Sequence, residues 1–284
     1  MTNLLKGRPI ADALKESLKK DIAARGSKPK LVAIQAGDND ASAIYVRNQK
    51  KTAEEIGIAY ELMKLDPGIS PGAVEKNLDA LRSDPEVTGV ILQMPLPGHL
   101  DYGSMIGKIG YLKDAEGMHP ANLGRLVLGD FYVAPCTASA CMELIKAAGV
   151  DLRGKETVIV GHSNIVGKPL ALMLLRMFAT TTICHVGTAE KGRLAEHALR
   201  AELLVSAVGK AGVIKGGWIK PGAVVIDVGI NKAGDKIVGD VEFDAAAEKA
   251  SYITPVPGGV GPLTTVMLMR NVVALSRLQH ERRG

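Results

Sequence analysis

The chain has 284 residues, a formal net charge of +5, 46% hydrophobic residues, 32 Gly and 14 Pro, which is enough to bury a sizeable core and favours two domains over one. Lys and Arg are scattered rather than striped among aromatics, and three Phe and one Trp offer few stacking platforms, which argues against a nucleic-acid partner. Cys136, Cys141 and Cys184 cannot all pair and lack metal-ligand spacing. No apolar run approaches the roughly 20 residues of a membrane span, and Lys6, Arg8 and Asp12 stand where a leader would be apolar, so the expectation is a cytoplasmic protein with no metal and no membrane partner.

Ile10, Leu14, Leu18 and Ile22 recur every fourth residue and stop at Gly26, which predicts an amphipathic helix. Residues 30–37 (KLVAIQAG) read as a strand. A helix-period stretch over 42–56 closes at Gly57, followed by a strand over 60–65 and a helix over 71–82 that opens on proline. Residues 88–94 form a mostly apolar strand running into Pro95-Leu96-Pro97-Gly98. After Pro135 a helix over 138–148 leads to strand candidates at 156–161, 181–185, 203–209 and 223–230, with helical segments between several of them, and a last helix over 262–278. Long, almost wholly apolar strands alternating with helices predict α/β architecture with largely parallel sheets. The expected division is residues 1–137 with 262–284 as one domain and 138–261 as a Rossmann-like domain, with a ligand cleft between them.

The most informative local pattern is a strand, then Gly161-His162-Ser163-Asn164-Ile165-Val166-Gly167-Lys168-Pro169, then an apolar helix. Glycines at a strand end let backbone turn sharply and approach a phosphate, and the next helix presents its positive dipole end. The spacing is not a regular GxGxxG, and a plain tight turn is the competing reading; the strand–loop–helix context favours a dinucleotide. The second strand ends in His185-Val186-Gly187-Thr188, with no acid before Glu190, whereas His162, Lys191 and Arg193 supply positive charge. That leans towards NADP, with NAD left open. Val208, Gly209 and Lys210 at the third strand end fall on the nicotinamide side, or simply form a tight strand exit.

Several runs together resemble the bifunctional methylenetetrahydrofolate dehydrogenase/cyclohydrolase family. They are Ser42-Ala43-Ile44-Tyr45-Val46, Gln93-Met94-Pro95-Leu96-Pro97, Lys113-Asp114-Ala115-Glu116-Gly117, Pro135-Cys136-Thr137, the 161–169 loop, and Pro255-Val256-Pro257-Gly258-Gly259-Val260-Gly261-Pro262-Leu263-Thr264. The resemblance spans about residues 6–275 and implies a homodimer whose N-terminal domain and last helix bind tetrahydrofolate while the middle domain binds the nicotinamide cofactor. It implies hydride transfer from the methylene carbon to that cofactor and, in bifunctional members, opening of the methenyl cation by water. Carried over by position, Tyr45 stacks near the folate ring, Gln93 belongs to the catalytic cluster, and Pro95, Leu96, Pro257, Gly258 and Gly259 shape the folate wall. Gly161, His162, Ser163, Asn164, Ile165 and Gly167 surround the cofactor, joined by His185, Val208, Gly209, Ile230 and Thr264.

Two departures matter most. The family usually has a lysine one helical turn after the tyrosine, and this chain has Gln49 there. An amide orients water or a carbonyl but does not shuttle a proton as an amine does, so the resemblance implies dehydrogenation with hydrolysis lost or strongly weakened. Lys50 and Lys51 point about 100° and 200° further round a helix, towards solvent. Glu116 replaces an aspartate that grips the pterin's amino edge, which keeps the charge on a longer arm. Two smaller departures are Ala138 and Val186; Val186 removes a hydroxyl near the cofactor phosphate and works against the NADP lean. Cys136 reads as packing beneath the site, because the chemistry needs no thiol nucleophile. The alternatives are a bifunctional enzyme with a substitute lysine and a catalytically silent folate-binding protein.

Overall fold

The structure, a computed structural model, describes residues 2–37 and 40–282, and the side chains within them except those of 40–42; the motif residue Ser42 is among those left out. The chain forms two units, Met1–Asp12 with Thr137–Thr264, and Ala13–Cys136 with Thr265–Gly284. It opens with β1 (Asn3–Leu4) and α1 (Gly7–Arg25). The unit containing Ala13–Cys136 then holds β2 (Lys30–Ala36), α2 (Asp40–Ile56), β3 (Ala59–Leu65), α3 (Pro71–Ser83), β4 (Gly89–Leu92), α4 (Tyr102–Ile109) and α5 (Pro120–Leu128).

Its three strands pair in parallel in the order β3-β2-β4, with Lys30 opposite Ala59 and Leu31 opposite Gly89. Central β2 is buried along nearly its whole length and is correspondingly apolar, while edge strand β3 alternates exposed and half-buried residues. Val32 and Ile34 of β2 share a core with Val74, Leu78 and Leu81 of α3, Leu92 of β4, and Ile106 and Ile109 of α4. Ser70 caps α3 by accepting from the Ala73 N–H, and Pro71 occupies the first turn, where its missing N–H costs nothing.

The other unit holds α6 (Cys136–Ala147), β5 (Glu156–Val160), α7 (Gly167–Leu175), β6 (Thr180–Cys184), α8 (Val186–Glu190), α9 (Leu194–Arg200), β7 (Leu203–Ser206), β8 (Val224–Asp227), the hairpin β9 (Asn231–Ala233) and β10 (Lys236–Val238), α10 (Phe243–Ala247) and β11 (Tyr252–Ile253). The last helix, α11 (Gly261–Glu281), begins here, and its residues from Thr265 on group with Ala13–Cys136. Six strands form one parallel sheet in the order β1-β11-β8-β7-β5-β6. Val158, Val160, Leu204, Val225 and Ile253 build its core against Leu194, Ala198 and Ala246. This is α/β architecture with a Rossmann-like sheet.

The first dozen residues group with this sheet rather than with residues 13–136 as expected. Asn3 and Leu4 pair with Tyr252 and Ile253, Thr2 Oγ1 donates to the carbonyls of Ala247 and Ala250, and Gly7 N–H donates to Gly258 O at 2.9 Å. Residues 262–264 group here as well, because Leu263 N–H and Thr264 N–H close the first turn of α11 on Val260 O. The strands expected over 203–209 and 223–230 end early, at Ser206 and Asp227. Beyond Ser206 the amides of Val208, Gly209 and Lys210 turn onto the Asp240 carboxylate instead of a neighbouring strand. Among the described residues no helix is long and apolar enough to cross a membrane, and no His/Cys/Asp/Glu group could hold a metal ion.

Asn271, 2% exposed on α11, donates from Nδ2 to Ala115 O and Ala134 O, both at 2.9 Å, and so ties two loops to the helix. Replacing Asn271 with Ala leaves both buried carbonyls short of a donor and is expected to cost about 2–4 kcal/mol. Urea unfolding checks this; a loss below about 0.5 kcal/mol, the range of a neutral surface change, contradicts the assignment.

Candidate functional site

In the unit with residues 13–136, the i, i+4 spacing on α2 puts Tyr45 and Gln49 on one helix face. Tyr45 is 56% exposed, whereas Gln49 is half-buried and turned onto the sheet. Gln93, just past the end of β4 and 7% exposed, donates from Nε2 to Gln49 Oε1 at 2.6 Å. Tyr60 on β3 donates its hydroxyl to the same oxygen at 3.0 Å. Burial holds the Tyr60 phenol well above its usual range, so it stays a neutral hydroxyl. A carbonyl oxygen has two lone pairs, and these two donors take both. Lys50 and Lys51 are exposed, and Lys50 sits 3.9 Å from Glu54 one turn on. Pro95, in a cis peptide with Met94, is exposed, while Leu96 packs against the core.

Glu116 follows the fully buried Asp114 and the core residue Ala115. Gly117 behind it has φ +73, and a side chain there would strike the Ala134 backbone at 2.4 Å, so only glycine makes this turn. Burial pushes the Glu116 carboxyl up to about 8; the Asp114 carboxylate adds to the rise, while the Tyr102 hydroxyl, which donates to Oε2 at 3.3 Å, and the Leu92 N–H oppose it. Asp114 Oδ2 accepts from His119 N–H at 2.7 Å and Asn122 Nδ2 at 2.8 Å, while Oδ1 is buried without a hydrogen bond. The half-buried Cys136 thiol lies 3.8 Å from Ala115 O, and burial lifts it well above the usual thiol range, which disfavours the thiolate.

In the other unit the residues after β5, β6, β7 and β8 gather at the C-terminal ends of parallel strands, where doubly wound sheets bind ligands. Gly161, just past β5, has φ +126, and a Cβ on it would meet Ala207 O at 2.4 Å. A Cβ on Gly167, the first residue of α7, would lie 1.9 Å from Gly161 O. Strand exit and helix start therefore approach to a distance that only bare backbone allows, as a phosphate-binding loop requires. Ser163 Oγ accepts from Val166 N–H at 3.1 Å and Lys168 N–H closes on Ser163 O, which shapes the turn, while Asn164 accepts from Lys168 Nζ at 2.8 Å. His162 and His185 meet edge-on with centroids 5.3 Å apart, and His185 caps α8 through Gly187 N–H and Thr188. Ile165, Val208 and Ile230 are 51%, 45% and 59% exposed, so three strand exits each present an apolar side chain to solvent. This glycine cradle with apolar flanks fits a dinucleotide. Arg193 is held by Glu196 in a two-pronged ion pair. Thr264 is half-buried in the first turn of α11, and Pro257, also in a cis peptide, lies with Gly258 and Gly259 ahead of it.

Sequence reasoning missed Tyr60, Tyr102, and the buried pair Asp227 and Asp240. A usable signal existed for one of them: Asp227 is a charged residue ending an otherwise apolar, fully buried strand. Burial pushes its carboxyl up to about 6, opposed by N–H donors from Asp240, Val241 and Gly229, with the Asp240 charge adding to the rise.

Two family descriptions match: the tetrahydrofolate dehydrogenase/cyclohydrolase catalytic domain over residues 5–116, and the NAD(P)-binding domain of the same proteins over residues 135–280. The chain is 46% identical over 278 residues to a bifunctional protein FolD of Moorella thermoacetica, covering 96% of this chain and 98% of that one. Among solved structures, the bifunctional FolD methylenetetrahydrofolate dehydrogenase/cyclohydrolase of Campylobacter jejuni superposes with a TM-score of 0.93 at 39% identity, covering 98% and 99% of the two chains. The FolD enzyme of Trypanosoma brucei, complexed with NADP cofactor and inhibitor, does so with a TM-score of 0.93 at 35% identity, covering 100% and 99%. The chain belongs to the tetrahydrofolate dehydrogenase/cyclohydrolase family.

Proposed function

We propose that the protein oxidises 5,10-methylenetetrahydrofolate to the 5,10-methenyl form with NADP as acceptor, and that hydrolysis of the methenyl form is lost or strongly weakened. The observation that carries the second half is the double occupation of Gln49 Oε1 by Gln93 and Tyr60. Bound NADP supplies the hydride acceptor, and the substrate's own nitrogen lone pairs push the hydride out, so the chain has mainly to orient the partners. In this reading Tyr45, Pro95, Leu96, Pro257, Gly258 and Gly259 orient the folate, Glu116 grips its amino edge, and the 161–167 loop with His185, Val208, Gly209, Ile230 and Thr264 holds the dinucleotide. The pair of histidines and the absence of an acid before Glu190 favour NADP over NAD, as does the NADP complex of the trypanosomal relative. The protein works as a homodimer.

Hydrolysis makes a harder demand. Water adds to a cationic carbon, gives up a proton, and a ring nitrogen leaves with one. Gln49 stands where the family's lysine is expected, and its oxygen is engaged by two donors, which leaves its NH2, a group that only donates. Lys50 and Lys51 lie on the solvent side of α2 and do not replace the amine.

Parallel assays of methylene oxidation and methenyl hydrolysis, each with NADP and NAD, test this. Cofactor reduction is expected together with methenyl build-up that decays no faster than without enzyme. Enzyme-dependent loss of the methenyl absorbance restores the bifunctional reading, and folate binding without any reduction points to a silent binding protein. Gln49→Lys is expected to raise hydrolysis by about tenfold or more, the scale of a modest acid–base contribution.

Glu116 gives a second test. With its carboxyl at about 8, it is largely protonated in the free protein at pH 7, and a donor-rich pterin edge binds the ionised form. Binding then releases a proton, so tetrahydrofolate affinity is expected to rise with pH up to about 8 and level off above it. Titration calorimetry between pH 6.5 and 9 checks the slope, with Glu116→Gln expected to flatten it. Equal slopes in both proteins exclude Glu116 as the source.

A further inference from the structure

We propose that Asp240 is a positioning residue for the nicotinamide half of the dinucleotide, acting by turning the 207–210 loop so that its carbonyls face the ligand's carboxamide. The inference rests on reading this unit as the dinucleotide-binding one. Strand β5 lies between β6 and β7. The phosphate loop follows β5 and the adenosine ribose belongs at the end of the next strand in sequence, β6, so the β7 side is left for the nicotinamide half.

The Asp240 carboxylate is completely buried and takes five donors. Its Oδ2 accepts from Ser206 Oγ at 3.1 Å, Val208 N–H at 2.7 Å and Gly209 N–H at 3.1 Å; Oδ1 accepts from Lys210 N–H at 2.9 Å and Asn231 Nδ2 at 3.0 Å. Three successive amides thus converge on one carboxylate. In a trans peptide the carbonyl points opposite to the following N–H, so the carbonyls of Ala207, Val208 and Gly209 are turned away from Asp240. Ala207 O faces Gly161. Val208 O and Gly209 O are left as outward acceptors on exposed residues, which suits an amide NH2.

Asp240 is itself held by Asp227. Asp227 Oδ1 accepts from Gly229 N–H at 2.9 Å and Asp240 N–H at 3.0 Å, and Oδ2 accepts from Val241 N–H at 2.9 Å. Bare backbone makes room for both carboxylates: a Cβ on Gly229 would lie 2.1 Å from Asp240 Oδ1, and one on Gly239 would lie 1.9 Å from Asp227 Oδ2. Neither carboxylate leaves room for a side chain at these two positions.

Asp240→Asn sets an NH2 among five donors and should release the loop. Calorimetric dissociation constants for three ligands read the effect: NADP, 2′,5′-ADP (which lacks the nicotinamide half), and 3-acetylpyridine-NADP (which lacks the carboxamide NH2). NADP is expected to weaken about tenfold, the scale of one or two lost hydrogen bonds, while 2′,5′-ADP stays within about twofold and the acetylpyridine analogue loses clearly less than NADP. A folded variant that binds NADP like the parent, or loses all three ligands alike, overturns the proposal. Should Asp240→Asn not fold, Ser206→Ala and Asn231→Ala, which each remove one donor, must show the same ranking in smaller steps, and its absence overturns the proposal too. A parent protein that binds neither NADP nor 2′,5′-ADP sinks the dinucleotide reading itself, which separates that failure from failure of the clamp.

Discussion

The oxygen of Gln49 is a point where three elements meet. It comes from α2, the hydroxyl bonded to it from β3, and the amide bonded to it from the residue just past β4. Satisfying a half-buried carbonyl with two donors fixes the amide's orientation, and that orientation decides the chemistry of the position. An amide with its oxygen engaged is a pure donor. An amine in the same place would meet a buried phenol that remains un-ionised and therefore still has an oxygen able to accept. The surroundings of Gln49 thus support either side chain, while only one of them handles a proton.

The same unit also contains a set of buried and half-buried polar ties. Lys113 Nζ donates to the carbonyls of Asp84 and Val87, Gln279 Nε2 donates to Thr88 O at 2.8 Å and Leu112 O at 2.7 Å, and Asn271 ties the turns beside Glu116. Each bonds backbone carbonyls that regular structure leaves open, and an unmatched buried carbonyl is costly enough that each tie is specific. Next to Glu116, the Ala115 carbonyl is thus tied to the last helix. Burial and the neighbouring Asp114 raise the Glu116 carboxyl, so its charge is costly unless donors reach it.

Much of this was legible in the sequence, and the part that was not shares one property. The helices with a four-residue apolar period and the central strands declared themselves, because their signals are local: residues 30–37 were read as a strand and β2 runs Lys30–Ala36, and the helix read over 71–82 runs Pro71–Ser83. The glycine loop after β5 was legible for the same reason. The hairpin β9–β10, the edge strand β1 and the short helices α8 and α10 had too few residues to show a period. Tyr60 and Asp240 were illegible for a stronger reason. Their partners lie 11 and about 30 residues away, so nothing near them in the chain distinguishes them from an ordinary strand tyrosine and a loop aspartate. The early ends of β7 and β8 follow from the same missing fact, since periodicity does not show where a buried carboxylate takes over the amides.

The two chemistries of this family place unequal demands on the scaffold. Hydride transfer asks for shape, which the proposed reading assigns to the glycine backbone at 161 and 167, the exposed apolar residues at 165, 208 and 230, and the 207–210 loop. Those requirements are spread over several strand ends and over many contacts, so no single side chain carries them. Hydrolysis asks in addition for one group able to give and take a proton at one point, and such a demand is met or lost at a single position. On the proposed reading, an amide at position 49 removes the second chemistry and leaves the scaffold of the first in place. The amide oxygen engages both Tyr60 and Gln93, and none of the trio is among the described residues whose buried side-chain atoms lack a hydrogen bond.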